Sequence, residues 1–219
     1  MLETHEIETG PQPRTTLIVL HGLGADGFDF VPICGELRLQ TLGAIRYVFP
    51  HAPTRPVTIN NGYVMRAWYD ILVTDLVRRE DEAGLRESQA QIAELIDRER
   101  ERGVPAERIV LLGFSQGCAM ALMTALRYPH RLGGVVGLSG YVPLAATTAA
   151  ERSDANADLP IFLAHGTQDP IVAPARGMAS RDALRALGHE VEWHDYPMPH
   201  SVCAEEIEDL NAWLLKQLG

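Results

Sequence analysis

Ile109-Val110-Leu111-Leu112-Gly113-Phe114-Ser115-Gln116-Gly117 is the stretch on which the reading of this chain turns. Four apolar residues run directly into G-x-S-x-G, and a segment rich in small residues, 116–128, follows and stops before Pro129. The pattern reads as strand, sharp turn, helix. A serine on such a turn is held at strained backbone angles that push its hydroxyl clear of the sheet. Side chains two residues before and after it would strike the neighbouring strand and helix, so both positions, Gly113 and Gly117, are glycine. The helix beginning at the serine also aims its N-terminal N–H groups and positive dipole end at the same place. An ordinary glycine-rich turn could carry the same five letters; the apolar strand before it and the helix after it favour a nucleophile.

Outward from this element, short apolar runs recur: 16–20, 45–49, 135–138, 161–164 and 191–194. Several are apolar throughout rather than alternating, as expected of strands covered by helices on both faces. Helical patterns separate them. Leu85 to Arg102 carries Ile92, Leu95 and Ile96 on one stripe and ends at Gly103 and Pro105; Pro174 to Leu187 closes at Gly188; Ile207, Leu210, Leu214 and Leu218 form a last stripe. Strands alternating with helices predict an α/β fold with a mostly parallel central sheet. No repeat or linker divides the chain, so residues 1–219 read as a single domain. Residues 50–83 and 141–160 break the alternation and are expected to be irregular walls of a site. The charge runs 78–82 and 97–102 are expected to be solvated faces.

Composition narrows the function. Of 219 residues, 46% are hydrophobic and 22% charged, with a formal net charge of −10. An acidic chain without a long basic run disfavours nucleic acid and electrostatic docking on anionic lipid. No apolar run approaches the roughly 20 residues that span a bilayer, so no stable membrane insertion is expected. The polar, acidic start MLETHEIETGPQPR has no secretory pattern, which predicts a cytoplasmic protein. Cys34, Cys118 and Cys203 are too few and too scattered for a disulfide framework or a zinc site and read as free thiols.

A serine hydroxyl needs a histidine to take its proton and a carboxylate to orient that histidine. After a nucleophile elbow the chain order is serine, acid, histidine, each beyond a strand end. Asp169, in His165-Gly166-Thr167-Gln168-Asp169-Pro170, and His200, in Pro197-Met198-Pro199-His200-Ser201, fit that order. His165 reads as a structural partner of its turn, and His130, His189 and His194 sit at helix ends or within a strand. His5 and His51 precede the elbow. Asp195 lies too near His200 in sequence to come from a separate strand end, and Asp154 and Asp158 remain in reserve. An acyl-transfer intermediate also needs two N–H donors for its oxyanion. One is expected from Gln116, the other from Leu23 in His21-Gly22-Leu23-Gly24-Ala25-Asp26-Gly27. Read instead as a phosphate loop, that segment lacks G-x-x-x-x-G-K-[ST], and its G-x-G-x-x-G match fails at Gly27.

Assembled, the chain resembles the carboxylesterase / acyl-protein thioesterase / lysophospholipase family of small α/β-hydrolases. The resemblance rests on LHGLGADGFDF (20–30), FPHAPTRPVTINNGYVMRAWYD (49–70), GFSQGCAMAL (113–122), HGTQDPIV (165–172) and the late His200. It implies an α/β-hydrolase fold with a minimal lid, Ser115, Asp169 and His200 as the triad, and Leu23 and Gln116 as oxyanion donors. It implies hydrolysis of carboxylic esters, lysophospholipids or S-acylated proteins, with no metal or cofactor. It also places the loop 63–76 beside the site, where Trp68, Ile71, Leu72 and Val73 are the expected acyl-binding side chains, with Tyr63, Met65 and Leu76 in the same loop; the alternative is that several of them, Trp68 above all, pack against the sheet. Competing expectations are acyl transfer to peroxide or alcohol, cleavage of a lactone or amide, and a non-catalytic binding module on the same fold. A homodimer is left open as an assembly.

Overall fold

The computed structural model describes residues 1–73 and 79–219. In chain order the elements are β1 (Thr4–Glu8), β2 (Thr15–Leu20), α1 (Val31–Glu36), β3 (Ile45–Pro50), β4 (Thr54–Val57), β5 (Tyr63–Arg66), α2 (Glu82–Glu101), β6 (Ile109–Phe114), α3 (Gln116–Arg127), β7 (Gly134–Leu138), α4 (Ala145–Glu151), β8 (Ile161–Gly166), α5 (Pro174–Ala186), β9 (Val191–Tyr196) and α6 (Ala204–Leu218). Seven strands form one sheet in the order β1-β3-β2-β6-β7-β8-β9. All neighbours are parallel except β1, which runs antiparallel to β3 with His5 opposite Phe49 and Ile7 opposite Tyr47. The elbow strand β6 is therefore central.

The burial pattern explains why the apolar runs look as they do. Every residue of β2, β3, β7 and β8 is buried, whereas the edge strands β1 and β9 are largely half-exposed. A central parallel strand faces helices on both sides and needs apolar residues at every position. Side-chain alternation then divides the interior into two layers. Ile18, Leu20, Leu111 and Val135 pack with α2 and α3, while Leu17, Val19, Leu112 and Val136 pack with α1 and α6. α3 is buried from Gln116 to Leu126, which is why its sequence is apolar or small all round. Gly134 admits α6 closely: a Cβ there would lie 2.7 Å from the Trp213 ring.

The structure departs from the expected pattern in five places. The polar start contains β1, an edge strand paired on one side only. Residues 50–83 are not wholly irregular: β4 and β5 form a hairpin closed by Asn61 and Gly62, both at positive φ (55° and 75°), the pairing an Asn-Gly turn favours. Residues 141–160 contain α4. α2 starts at Glu82 rather than Leu85, because the Asp81 side chain caps it by accepting from the Gly84 N–H at 3.0 Å.

The run 97–102 is also not simply solvated. Glu99 is fully buried at the N-terminal end of the sheet, where it accepts from Arg46 Nη1 at 2.7 Å and Thr16 Oγ1 at 3.0 Å, with Arg98 and Arg102 alongside. A buried carboxylate persists only when it is paired and hydrogen-bonded, and β2 and β3 supply those partners. Arg78, in the other charge run, lies outside the described residues.

Candidate active site

The site is assembled from the C-terminal ends of four strands. After β6 the chain turns at Ser115, whose φ of 55° and ψ of −116° lie outside the ordinary regions for an L-residue. The two glycines make the turn sterically feasible in a specific way. A Cβ on Gly113 would lie 2.1 Å from the Gly117 carbonyl oxygen, and one on Gly117 would lie 2.0 Å from the Leu20 carbonyl oxygen. The turn is thus pressed against itself and against the end of β2. The Ser115 N–H donates to the Leu138 carbonyl at 2.9 Å, which fixes the elbow to β7.

β8 and β9 end in two interlocked turns. A Cβ on Gly166 would come within 2.4 Å of both the Met198 and Pro199 carbonyl oxygens, so glycine allows the 197–200 turn to lie on the 166–169 turn. The Gln168 N–H donates to Met198 O at 3.1 Å and seals the contact. Asp169 is 6% exposed, and its Oδ1 accepts from the N–H groups of Ile171 and Val172 at 2.8 and 2.9 Å. Its Oδ2 lies 2.7 Å from His200 Nδ1. A carboxylate can only accept, so His200 Nδ1 donates, and Nε2 is left as the basic nitrogen. The His200 ring packs on Phe114, the residue before the serine, with 4.7 Å between centroids. The Ser115 side chain caps no helix N–H, and among the described residues no hydrogen bond joins it to His200.

Four other histidines are engaged elsewhere. His165 Nε2 lies 2.9 Å from the Val172 carbonyl and 3.4 Å from Asp169 Oδ2, so it donates to the carbonyl and braces the acid's turn. His21 Nδ1 donates to Gly22 O at 2.7 Å while Nε2 accepts from the Ala52 N–H at 3.0 Å, an arrangement only the neutral ring can make. Burial pushes its pKa down to about 4. His51 accepts from the Gly27 N–H, and His194 lies between Glu192 and Asp209.

Leu23, Ser115 and Gln116 face one cavity of about 390 Å³. The loop carrying Leu23 is fixed by Gly24, at φ 78°, whose N–H donates to Arg66 O at 2.9 Å. Among the described residues, neither the Leu23 nor the Gln116 N–H has a backbone acceptor. The Gln116 side chain does a separate job: it is buried, accepts from the Trp68 N–H at 3.0 Å and donates to Tyr69 O at 2.8 Å. It thereby ties the 68–71 segment to the elbow, a role its sequence position gave no signal of. Apolar walls come from Ile59, Ile71, Ile171 and Val172, with Tyr69 and Tyr141 completing them.

The four expected acyl-binding residues separate. Ile71 lines the cavity. Leu72 and Val73 are half-buried but are not among its lining residues. Trp68 is corrected: it is fully buried, its indole N–H donates to His21 O at 2.9 Å, and its ring packs on His21. An indole saturated in this way supports the loop from beneath. Of the other loop residues, Tyr63 is exposed on the hairpin, Met65 is half-buried, and Leu76 lies outside the described residues. Among the described residues no three His, Cys, Asp or Glu side chains cluster as metal ligands would.

Comparison with known proteins agrees in extent. The phospholipase/carboxylesterase family matches residues 2–218. Acyl-protein thioesterase 1 of Yarrowia lipolytica is 42% identical over 204 residues, covering 91% of this chain and 90% of the relative. The protein of the same name from Mycosarcoma maydis is 42% identical over 223 residues, with coverage of 95% and 93%. Among solved structures, Zea mays acyl-protein thioesterase 2 superposes with a TM-score of 0.86 at 32% identity over 100% of each chain. Arabidopsis thaliana SOBER1 superposes at 0.89 with 33% identity, over 94% of this chain and 100% of its own.

Proposed function

Because this chain belongs to the phospholipase/carboxylesterase family, we propose that Ser115, His200 and Asp169 are its catalytic triad, with the N–H groups of Leu23 and Gln116 as the oxyanion hole. The protein is a serine hydrolase of the α/β-hydrolase fold and acts on carboxylic ester and thioester bonds. The observation that carries the residue roles is the 2.7 Å contact between Asp169 Oδ2 and His200 Nδ1, with the ring packed on the residue before a strained serine. His200 Nε2 takes the Ser115 proton as Oγ attacks the acyl carbonyl, and Asp169 stabilises the imidazolium. The tetrahedral oxyanion is met by two amides held rigid before reaction, one on a helix N-terminus. His200 then protonates the departing alcohol or thiol, and water, deprotonated by the same nitrogen, releases the acid.

For the physiological substrate we favour an S-acylated protein. The cavity is walled mainly by apolar side chains and opens beside exposed Ile171, which suits an acyl chain whose carbonyl is presented from outside. The names of the relatives point the same way. A lysophospholipid presents the same acyl ester chemistry and is the second reading. Three free thiols, two of them buried, fit a reducing, cytoplasmic setting.

A fluorophosphonate probe should label the wild-type enzyme and leave Ser115→Ala unlabelled; equal labelling would remove Ser115 from the mechanism. A panel of matched oxygen esters, thioesters, a palmitoylated peptide and a lysophospholipid then separates the substrate classes. Faster turnover of the lysophospholipid than of the palmitoylated peptide would reject the preferred one.

A further inference from the structure

We propose that Tyr141 is the end wall of the acyl pocket and sets the longest acyl chain the enzyme accepts. This rests on the serine-hydrolase reading of Ser115 and adds a determinant that the triad does not supply. Behind the pocket, between α4 and α5, lies a second cavity of about 160 Å³. Among the described residues, Tyr141 is the one common to the linings of the two cavities.

The ring is held from both sides. Its Oη lies 2.8 Å from Tyr69 Oη, a buried pair at the edge of the acyl pocket. On the other side the Arg176 guanidinium sits 3.6 Å from the ring centroid, a cation–π contact, and Arg176 lines only the rear cavity. The backbone is equally fixed. The Val142 N–H donates to Ser180 Oγ of α5 at 2.9 Å, and a Cβ on the preceding Gly140 would lie 2.5 Å from Cys118 Sγ of α3. A side chain braced in this way is a wall rather than a movable lid. Beyond it the rear cavity is lined by Val142, Arg176 and Ser180 and by three small side chains, Ala145, Ala179 and Ala183, and the small ones leave room for methylenes once the ring is gone.

An acyl tail leaving the Ser115 carbonyl therefore ends against Tyr141, and removing the ring joins the two spaces. Each further buried methylene is worth about fourfold in transition-state binding. The test is kcat/KM over a series of p-nitrophenyl esters from butanoyl to hexadecanoyl. In Tyr141→Ala the dodecanoyl-to-butanoyl ratio should rise at least about tenfold, on the same methylene scale. Tyr141→Phe, which keeps the volume and loses the hydroxyl, should leave the ratio as in wild type. Tyr141→Ala with Ala179→Trp, which refills the rear cavity, should bring it back. Should Tyr141→Ala fail to fold, Tyr141→Leu is measured in its place with the same expected direction. An unchanged ratio in the truncated variant, or a shift in Tyr141→Phe as large as that in Tyr141→Ala, overturns the proposal. A wild-type enzyme that turns over none of the esters would instead overturn the hydrolase reading, so the two failures are distinguishable.

Discussion

At the N-terminal ends of β2 and β3, the buried Glu99 carboxylate meets Arg46 at 2.7 Å, Thr16 at 3.0 Å and Arg102 at 2.8 Å. At the C-terminal ends of the same sheet the buried polar groups divide: His21, Gln116, His165 and Asp169 are hydrogen-bonded, and others are not. Among the described residues, Ser139 Oγ has no partner, and Glu206, at the start of the helix that follows His200, is fully buried with neither oxygen hydrogen-bonded. The larger cleft, about 670 Å³, belongs to the first rim and is lined by Arg14, Arg46, Arg102 and Arg108. It contains no serine or histidine in its lining, whereas the smaller cavity contains Ser115. Cavity size thus says little about chemistry here. One rim matches its charges and holds α2 to the sheet. The other carries strained backbone at the proposed nucleophile, Ser115, and buried groups without partners at Ser139 and Glu206.

If the rims differ in this way, mutations should divide between activity and stability. The largest effect is expected from Ser115→Ala, which should lower kcat by about a millionfold while leaving the denaturation midpoint near wild type. His200→Ala should be comparably inactive. Retention of wild-type ester turnover by His200→Ala would mean that another histidine is the base. At the opposite rim, Glu99→Ala should leave kcat almost unchanged but destabilise the fold by about 3–5 kcal/mol, because it removes the buried partner of Arg46 Nη1 and Thr16 and leaves Arg46 only its Glu8 contact. Urea denaturation with constant m-value reads this directly. A kcat loss in Glu99→Ala larger than its stability loss would couple the two rims and blur the contrast.

The sequence made the active rim more legible than the stabilising one, and for a physical reason. A nucleophile elbow requires glycine at two fixed offsets, and the acid and base must follow strand ends in a fixed order, so the proposed triad Ser115, Asp169 and His200 leaves a linear trace. Glu99 leaves none: its neighbours in sequence, Arg98 and Arg100, are charged and only half-buried, and its partners Thr16 and Arg46 come from distant strands. β1 was hidden because an edge strand needs only one covered face. Trp68 misled because an aromatic in an irregular segment has no periodicity to show which way its ring points; only the bond to His21 O reveals that it faces inward. Asn61-Gly62 was a readable hairpin signal masked by the prolines around it.

Two titrations sharpen the contrast further. Burial pushes the Glu206 carboxyl up from its ordinary 4.5 to about 8, and the nearby Cys203 N–H offsets this only in part. The raised value means that the native state favours the protonated acid. Its stability is therefore greatest below about pH 4.5 and is lost as pH rises toward 8. Glu206→Gln should remove that loss, making the protein about 3 kcal/mol more stable relative to wild type at pH 8 than at pH 5. Equal denaturation curves for the two proteins at pH 8 would show that the carboxyl finds relief in solution.

The smallest effect is expected from His21, and it runs in the opposite direction. Its pKa falls from 6.5 to about 4, chiefly because burial disfavours the charged ring. The native state therefore holds fewer protons than the unfolded chain between those values, and stability present above pH 6.5 is lost as pH falls toward 4. The loss at pH 5 relative to pH 7 should be about 2 kcal/mol. His21→Gln keeps a donor and an acceptor for Gly22 O and the Ala52 N–H, and should flatten the acid limb of the stability profile even if it lowers stability overall. Because His21 O also anchors the Trp68 indole beneath the pocket, protonation should loosen the Leu23 loop before the Glu99 rim gives way. Amide exchange measured at pH 5 against pH 7 should therefore quicken first at residues 22–25 and 51–52. Exchange that quickens first around Thr16 and Arg46 would reverse the assignment of which rim is the weaker.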